Sequence, residues 1–461
     1  MIRIFNHYLH RRTLMQILFD FGLIIAAVLG AVLSQVHLGS AVPNAVTYGI
    51  MLALSMFVIN TATGFYERTP NRSLNQSCAR AVLALLLVLP LEYAFNGLLP
   101  HSMPNRDAIK WAALLGVAAV IAHRVYVSHS ASQSRTRIMV FGSGTAAALV
   151  GQTLKANDPH AEVVGYFPGV NEDQPAVPMA LILGQSQGAK QSLAQTALSL
   201  DVDEIVVALT ERRGGSMPMR ELLDCKVNGI RVYDIATHFE KTLSQIKIEY
   251  VNAGWLIFGD GFNQGWTRTF GKRLVDIVGS LILLAVSLPF MLITALLIVL
   301  ESKGPVLYRQ ERVGLNGKTF NVIKFRSMRT DAEKDGKPQW ASLKDDRVTR
   351  VGQIIRKLRI DELPQIFCVL KGDMSLVGPR PERPYFVDKL TQEIPFYAVR
   401  HSVKPGVTGW AQVRYHYGAT VEDSREKLQY DLYYVKNHTL FLDLVVLFET
   451  VAVVLLAKGS R

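Results

Sequence analysis

The stretch RKLRIDELPQIFCVLKGDMSLVGPRPE, Arg356 to Glu382, places two adjacent carboxylates, Asp361 and Glu362, behind three cations and ahead of an apolar run. Pro364 follows closely. Proline is tolerated in the first turn of a helix, where backbone N–H groups have no partner, so Asp361 reads as an N-cap with Glu362 beside it. Both acids would then lie at the positive end of a helix dipole, near Arg356, Lys357 and Arg359. Such surroundings keep a carboxylate ionised and can also hold a phosphate. An ionised Asp beside a Glu able to hold a divalent metal has the parts of a nucleophilic site for phosphoryl chemistry. A capped helix with surface ion pairs is the plainer alternative.

Working outward, Pro379 and Pro381 stiffen the backbone on both sides of Arg380, so its guanidinium is presented at low conformational cost. Upstream, PVLYRQERVG and KTFNVIKFRSM flank Asn316-Gly317, a strong hairpin signal, and alternation puts Phe320, Val322, Lys324 and Arg326 on one face. Two cations there could also be a solvated sheet edge. Downstream, KPGVTGW combines Lys404, a turn and the indole of Trp410, read as exposed and suited to a headgroup layer. The charged loop Asp331–Arg347 reads as mobile.

KFRSM (Lys324–Met328), DELPQ (Asp361–Gln365), GDMSLVGPRPE (Gly372–Glu382) and KPGVTGW (Lys404–Trp410) occur in that order. Together they resemble the bacterial sugar transferases, monotopic polyprenyl-phosphate sugar-1-phosphate transferases that start the assembly of surface glycans. The resemblance covers residues 266–461. WLIFGDGF, Trp255 to Phe262, is similar to the subgroup associated with exosortase-type exopolysaccharide clusters.

The rest of the chain is apolar and basic. Its 461 residues are 49% hydrophobic, with a formal net charge of +12, so membrane segments and more than one domain are expected. The charge suits anionic lipid or a phosphorylated substrate, and no nucleic-acid motif accompanies it. Cys78, Cys225 and Cys368 are scattered, giving neither a disulfide framework nor a zinc site. Four apolar stretches, near Leu14–Leu33, Ala45–Phe65, Ala79–Leu98 and Ala108–Val127, each have about the 20 residues needed to cross a bilayer. Arginines before the first, between the second and third, and after the fourth put those loops in the cytoplasm. Glu92 in the third stretch is either an intramembrane functional acid or an interfacial one.

From Arg137 the texture turns soluble. Strand-like IMVFG, EVVGYF, EIVVALT and IRVYDI alternate with helical segments, as in a Rossmann-type α/β domain. The turn Gly142-Ser-Gly144-Thr-Ala-Ala147 approximates a phosphate-binding fingerprint, but no acid ends the second strand to hold a ribose, so a structural or regulatory role competes with nucleotide binding. The run Leu274–Leu300 carries Pro289 at its centre. A full span there would put outside the cell a tail with a net charge of about +8, against the positive-inside rule. A helix broken at the proline could instead enter and leave by one face. Leu440–Leu456, interrupted by Asp443 and Glu449, reads as lying on the membrane or packing on the core.

The expected architecture is an α-helical membrane bundle over 1–130, a Rossmann-like cytosolic domain over 131–250 and a linker over 251–270. A mixed α/β monotopic catalytic domain follows over 271–461, with a re-entrant helix at 274–300. The resemblance implies that break, usually Ser-Pro in the family; here Ser287 stands one residue further from Pro289. It also implies transfer of a sugar 1-phosphate from a UDP-sugar to undecaprenyl phosphate. Asp361 would be the nucleophile and Glu362, with Asp361, would hold Mg²⁺. Lys324, Arg326, Arg359 and Arg380 would cover phosphate charge, and Pro379, Pro381 and Glu382 would shape the donor site. Implied partners are inner-membrane lipids, a second copy and other polysaccharide-assembly proteins, and the implied place is the bacterial inner membrane, multi-pass, with the catalytic domain facing the cytoplasm. Two other classes fit parts of the sequence: a membrane-anchored nucleotide-sugar dehydratase or epimerase, and a non-catalytic scaffold.

Overall fold

The computed structural model describes residues 2–33 and 42–62 apart from 5, 6 and 10, then 84, 88, 111 and 114–123. It also describes 135–455 apart from 159, 170–174, 184–191, 210–216, 252, 260, 263–264, 330–346, 416–417 and 419. The chain divides into two compact units, Tyr8–Tyr250 with Met1–Ile2, and Val251–Arg461 with Arg3–His7.

In the first unit, helices α1 (Arg11–Leu33) and α2 (Val42–Ala62) coincide with the first two expected spans. With the helix Leu114–His123 they bury Ile24, Val28, Leu52, Met56, Val117 and Val120 against one another. Glu92, Cys78 and most of the third stretch lie outside the described residues. Beyond them, β1 (Thr136–Phe141), β2 (Ala161–Phe167), β3 (Glu204–Val207) and β4 (Arg231–Asp234) form a parallel sheet in the order β2-β1-β3-β4. These are the four expected strands. Alternation along β1 buries both faces: Ile138 and Val140 join one cluster, Met139 and Phe141 the other. After β1, Gly142 takes a φ of 132°, which a side chain would resist, and the next helix starts at Thr145.

The second unit opens with the helix Ala253–Phe258, where a linker was expected. Lys436 lies 3.8 Å over its Trp255 ring. Helix α3 (Trp266–Glu301) follows and is uninterrupted: Pro289 lies inside it, and the break expected there is absent. The reason is local. Proline removes one N–H, while buried Asp276, Ser280 and Ser287 on one side and Met291, Thr294 and Ile298 on the other hold both halves on the unit. The Ser287 hydroxyl donates to Met291 Sδ at 3.6 Å. The opposite face leaves Ile282, Val286, Phe290, Ile293 and Leu300 exposed. Among the described residues, the segment Arg268–Glu301 is the one helix long and apolar enough to cross a membrane.

Strands β5 (Leu307–Val313) and β6 (Thr319–Phe325) pair antiparallel from Val313↔Thr319 to Leu307↔Phe325, closed by Asn316 and Gly317 at positive φ, as the sequence signal required. Helix α4 (Arg350–Lys357) is capped by Thr349. It leads through the turn Ile360–Glu362 into α5 (Gln365–Lys371) and then β7 (Ser375–Val377), which pairs parallel with β8 (Gly406–Thr408). Two helices close the unit, α6 (Val421–Asn437) and α7 (Leu440–Leu455). Helix α7 packs on this core, burying Leu442 and Val446, and its Asp443 accepts from Lys272 (2.7 Å) and Tyr434 (2.6 Å). Trp410, expected to be exposed, is 1% exposed: it starts a short helix against α6, where its ring stacks on Tyr433. Most of the charged loop, residues 330–346, lies outside the described residues.

Candidate active site

Arg359 adopts a left-handed conformation (φ 58°) that ends α4 and turns the chain into Ile360–Glu362. Asp361 is therefore not the N-cap that the sequence suggested. Helical turns run without a break from Ile360 through Leu363 to Pro364, which itself precedes α5. The cause is the bend at Arg359, which starts the turn before the acids are reached. The consequence is burial, with Asp361 only 8% exposed.

Two cations from separate elements meet Glu362. Lys324 Nζ, from β6, and Arg380 Nη2, from the loop after β7, each donate to Glu362 Oε1 at 2.8 Å. Burial alone would raise the Glu362 carboxyl, but these two cations hold it well below the ordinary carboxylate range. Asp361 goes the other way. Burial first and the Glu362 charge second push it up to about 6, against the pull of Lys324, Arg356 and Arg380. The adjacent acids thus differ: Glu362 stays ionised between two cations, and Asp361 is the more basic carboxylate.

The loop carrying Arg380 is pinned along its length. Gly378 N donates to Thr408 O (2.9 Å), Gly406 N to Pro379 O (3.0 Å) and Val313 N to Glu382 O (2.9 Å). A Cβ on Gly378 would stand 2.3 Å from the Lys404 carbonyl, so β8 approaches closely only because this position is glycine. Arg312 donates to Pro381 O at 3.1 Å and pairs with Glu382 at 3.3 Å. Glu382 is thus a partner of Arg312, which sequence reasoning had not singled out.

The expected residues do not all converge. Arg326 is buried and caps the end of α3, donating to Ser302 O (2.7 Å), Ser302 Oγ (3.0 Å), Lys303 O (3.1 Å) and Ile298 O (3.4 Å). It lies one residue past β6, where its main-chain N–H still donates to Val306 O at 2.9 Å while its side chain turns to the end of α3. Arg359 is exposed and contributes the bend; Arg356 is the α4 cation whose charge reaches Asp361. Ser287 and Pro289 lie on α3. Lys427, in α6, feels the charges of Glu382 and Arg380 and was not expected.

This arrangement of a buried basic carboxylate, an ionised neighbour and converging cations falls within residues 267–457, which match the family model described as bacterial sugar transferase. The chain is 46% identical over 242 residues, 52% of its length, to the UDP-N-acetylgalactosamine-undecaprenyl-phosphate N-acetylgalactosaminephosphotransferase of Aeromonas hydrophila, covering 56% of that protein. It is 31% identical over 364 residues to the undecaprenyl-phosphate glucose phosphotransferase of Komagataeibacter xylinus, covering 76% of this chain and 66% of that one. A further relative is the UDP-glucose:undecaprenyl-phosphate glucose-1-phosphate transferase of Caulobacter vibrioides, 46% identical over 184 residues, which are 39% of this chain and 68% of that protein. The chain belongs to the bacterial sugar transferase family.

Proposed function

We propose that the chain transfers a sugar 1-phosphate from a UDP-sugar to undecaprenyl phosphate, releasing UMP and initiating exopolysaccharide or surface-glycan synthesis. The observation that carries this reading is the Asp361–Glu362 pair, with one acid buried and basic and the other fixed by Lys324 and Arg380. An Asp361 carboxylate oxygen attacks the sugar-bearing phosphorus. The Asp361 O–P bond forms, the bridging P–O bond breaks, and the electron pair leaves with UMP. A phosphate oxygen of the lipid then attacks the same phosphorus and returns Asp361 as carboxylate. Lys324 and Arg380 face the charge that spreads over the equatorial oxygens, and Arg380, stiffened by Pro379 and Pro381, lies on the diphosphate side.

The donor set also suits Mg²⁺, which takes one or two carboxylates and completes its shell with water and substrate phosphate. Glu362, with Asp361 next to it in the chain, would hold such an ion. When bound, Mg²⁺ would neutralise diphosphate charge and ease UMP departure.

The site belongs at the face of the bacterial inner membrane that meets the cytoplasm, where a water-soluble donor and a lipid acceptor come together. Supporting this, both ends of α3 are tied to one unit. Lys272 and Arg273 donate to the carbonyls of Val377, Val369 and Leu370 near its start, and Arg326 caps its end. A helix of 36 residues is about 54 Å long, well over a bilayer core of roughly 30 Å. A bend at Pro289 that leaves the helix continuous would let it enter and leave by one face, with the exposed apolar face in lipid. We assign α1 and α2 to a four-span bundle and the parallel sheet of the first unit to a Rossmann-like domain, with a homodimer and other assembly proteins as partners and an exosortase-associated exopolysaccharide cluster as the setting.

The test is UMP release from a panel of UDP-sugars by the full chain in detergent, with and without undecaprenyl phosphate and Mg²⁺, beside Asp361→Ala. Multiple-turnover release that needs lipid and metal and vanishes in the variant supports the reaction and identifies the sugar. Full activity in Asp361→Ala would end the covalent scheme.

A further inference from the structure

Arg400 is 5% exposed and Asp431 2%, and neither lies among the sequence words that mark the site. A buried arginine is costly unless every donor is engaged, and replacing a buried pair by apolar side chains often costs nothing. What Arg400 holds is therefore informative. From the turn Tyr397–Ser402, its Nε (3.0 Å) and Nη2 (2.7 Å) both donate to Asp431 Oδ2 on α6, and Nη1 donates to the Tyr397 hydroxyl at 3.0 Å. Nη2 donates a second time, to the main-chain carbonyl of Arg380 at 2.9 Å.

That carbonyl belongs to the peptide joining Arg380 to Pro381. Fixing it fixes ψ at Arg380, and the ring of Pro381 fixes φ of the next residue. The direction of the Arg380 side chain follows, and 2.8 Å from its Nη2 lies Glu362 Oε1. The chain of bonds runs from α6 through Asp431, Arg400 and the Arg380 carbonyl to the carboxylate beside Asp361. Asp431 keeps the Arg400 guanidinium in its plane, so the fork meets the carbonyl in one orientation.

We propose that Arg400, locked by Asp431, is a positioning residue for the transfer reaction, acting only through the aim of Arg380 at Glu362 and the donor phosphate. The proposal rests on the reading of the site given above. Lysine at 400 keeps the charge but cannot reach Asp431, Tyr397 and the Arg380 carbonyl together.

The experiment is a double-mutant cycle on the full chain in detergent, with kcat and KM for UMP release measured in wild type, Arg400→Lys, Arg380→Ala and the double variant, and thermal unfolding run on each. Asp431→Asn is carried in parallel in case the lysine variant folds poorly. The expected result is a kcat lower by about tenfold in Arg400→Lys, a KM changed less than kcat, and a further loss of under about twofold when Arg380 is already alanine. Equal fold-losses in both backgrounds would overturn the proposal, because a residue that merely stabilises the fold acts whether or not Arg380 is present. A second readout needs no substrate: the rate at which phenylglyoxal modifies Arg380, followed on its peptide by mass spectrometry. It should rise several-fold in Arg400→Lys while modification of exposed Arg359 stays constant; an unchanged Arg380 rate overturns the proposal. Should the wild type release no UMP from any donor, the reading of the reaction fails and the modification rates alone decide the role of Arg400.

Discussion

Replacing Asp361 by asparagine should stabilise the protein while abolishing its activity, and the gain should depend on pH in a definite direction. The carboxyl titrates near 3.8 when solvated and at about 6 in the fold, because burial and then the Glu362 charge outweigh Lys324, Arg356 and Arg380. Between those values the folded chain binds more protons than the unfolded one. Stability therefore falls as pH rises through that window, and the cost is fully present above about pH 6. A shift of roughly two units corresponds to about 3 kcal/mol near pH 8 and about 1 kcal/mol near pH 4.5. Asparagine has nearly the same shape and no charge to desolvate, so it recovers that cost. For a unit of this size about 1 kcal/mol moves Tm by roughly 2–4 °C, so the variant should melt roughly 6–12 °C higher near pH 8 and only a few degrees higher near pH 4.5. Thermal unfolding of the full chain in one detergent at both pH values measures it. An equal gain at the two pH values, or a loss near pH 8, would refute the account of Asp361 as an acid held ionised at a cost for chemistry.

Three further outcomes follow from the same geometry. For the wild type, kcat/KM for UMP release should fall about tenfold per unit below about pH 6, as Asp361 takes a proton; a flat profile down to pH 5 would exclude it as the nucleophile. Glu362→Gln removes the second largest cause of the raised Asp361 value, so any residual activity, expected to be lower by 10²-fold or more, should break at a lower pH than in the wild type; an unmoved break counts against the coupling. Arg326→Met leaves the last carbonyls of α3 without their donor and should lower stability by about 2–4 kcal/mol while the folded fraction keeps its kcat; a kcat loss at full stability would return Arg326 to the reaction.

What was legible in the sequence is what local chemistry determines. The hairpin at Asn316-Gly317 rests on positive φ at two neighbours, which few residue pairs accept, and the four parallel strands follow from alternation that buries both faces of β1. The cap at Asp361 failed because a single left-handed residue, Arg359, starts the turn early, and an arginine gives no composition signal for positive φ. Pro289 failed as a helix breaker for a related reason. Propensity counts one lost hydrogen bond, whereas the buried stripe from Asp276 to Ile298 supplies packing on both sides of it.

The candidate site shows the same boundary at the level of side chains. Lys324, placed by alternation and motif among the candidate phosphate contacts, meets Glu362, whereas the side chain of Arg326, one residue past β6, turns to carbonyls 23, 24 and 28 residues back in the chain. Arg312 and Arg400 were invisible for the converse reason. Their partners, Pro381 and Glu382 for one and Asp431 and the Arg380 carbonyl for the other, are between 20 and 70 residues distant, and a carbonyl leaves no mark in a sequence. Residues that touch substrate are constrained by chemistry and recur as short words, whereas residues that aim them are constrained by packing geometry, which only the fold specifies. Arg380 shows both kinds of constraint: its side chain stands in a motif and meets Glu362, and its main chain is held by Arg400, which no motif contains.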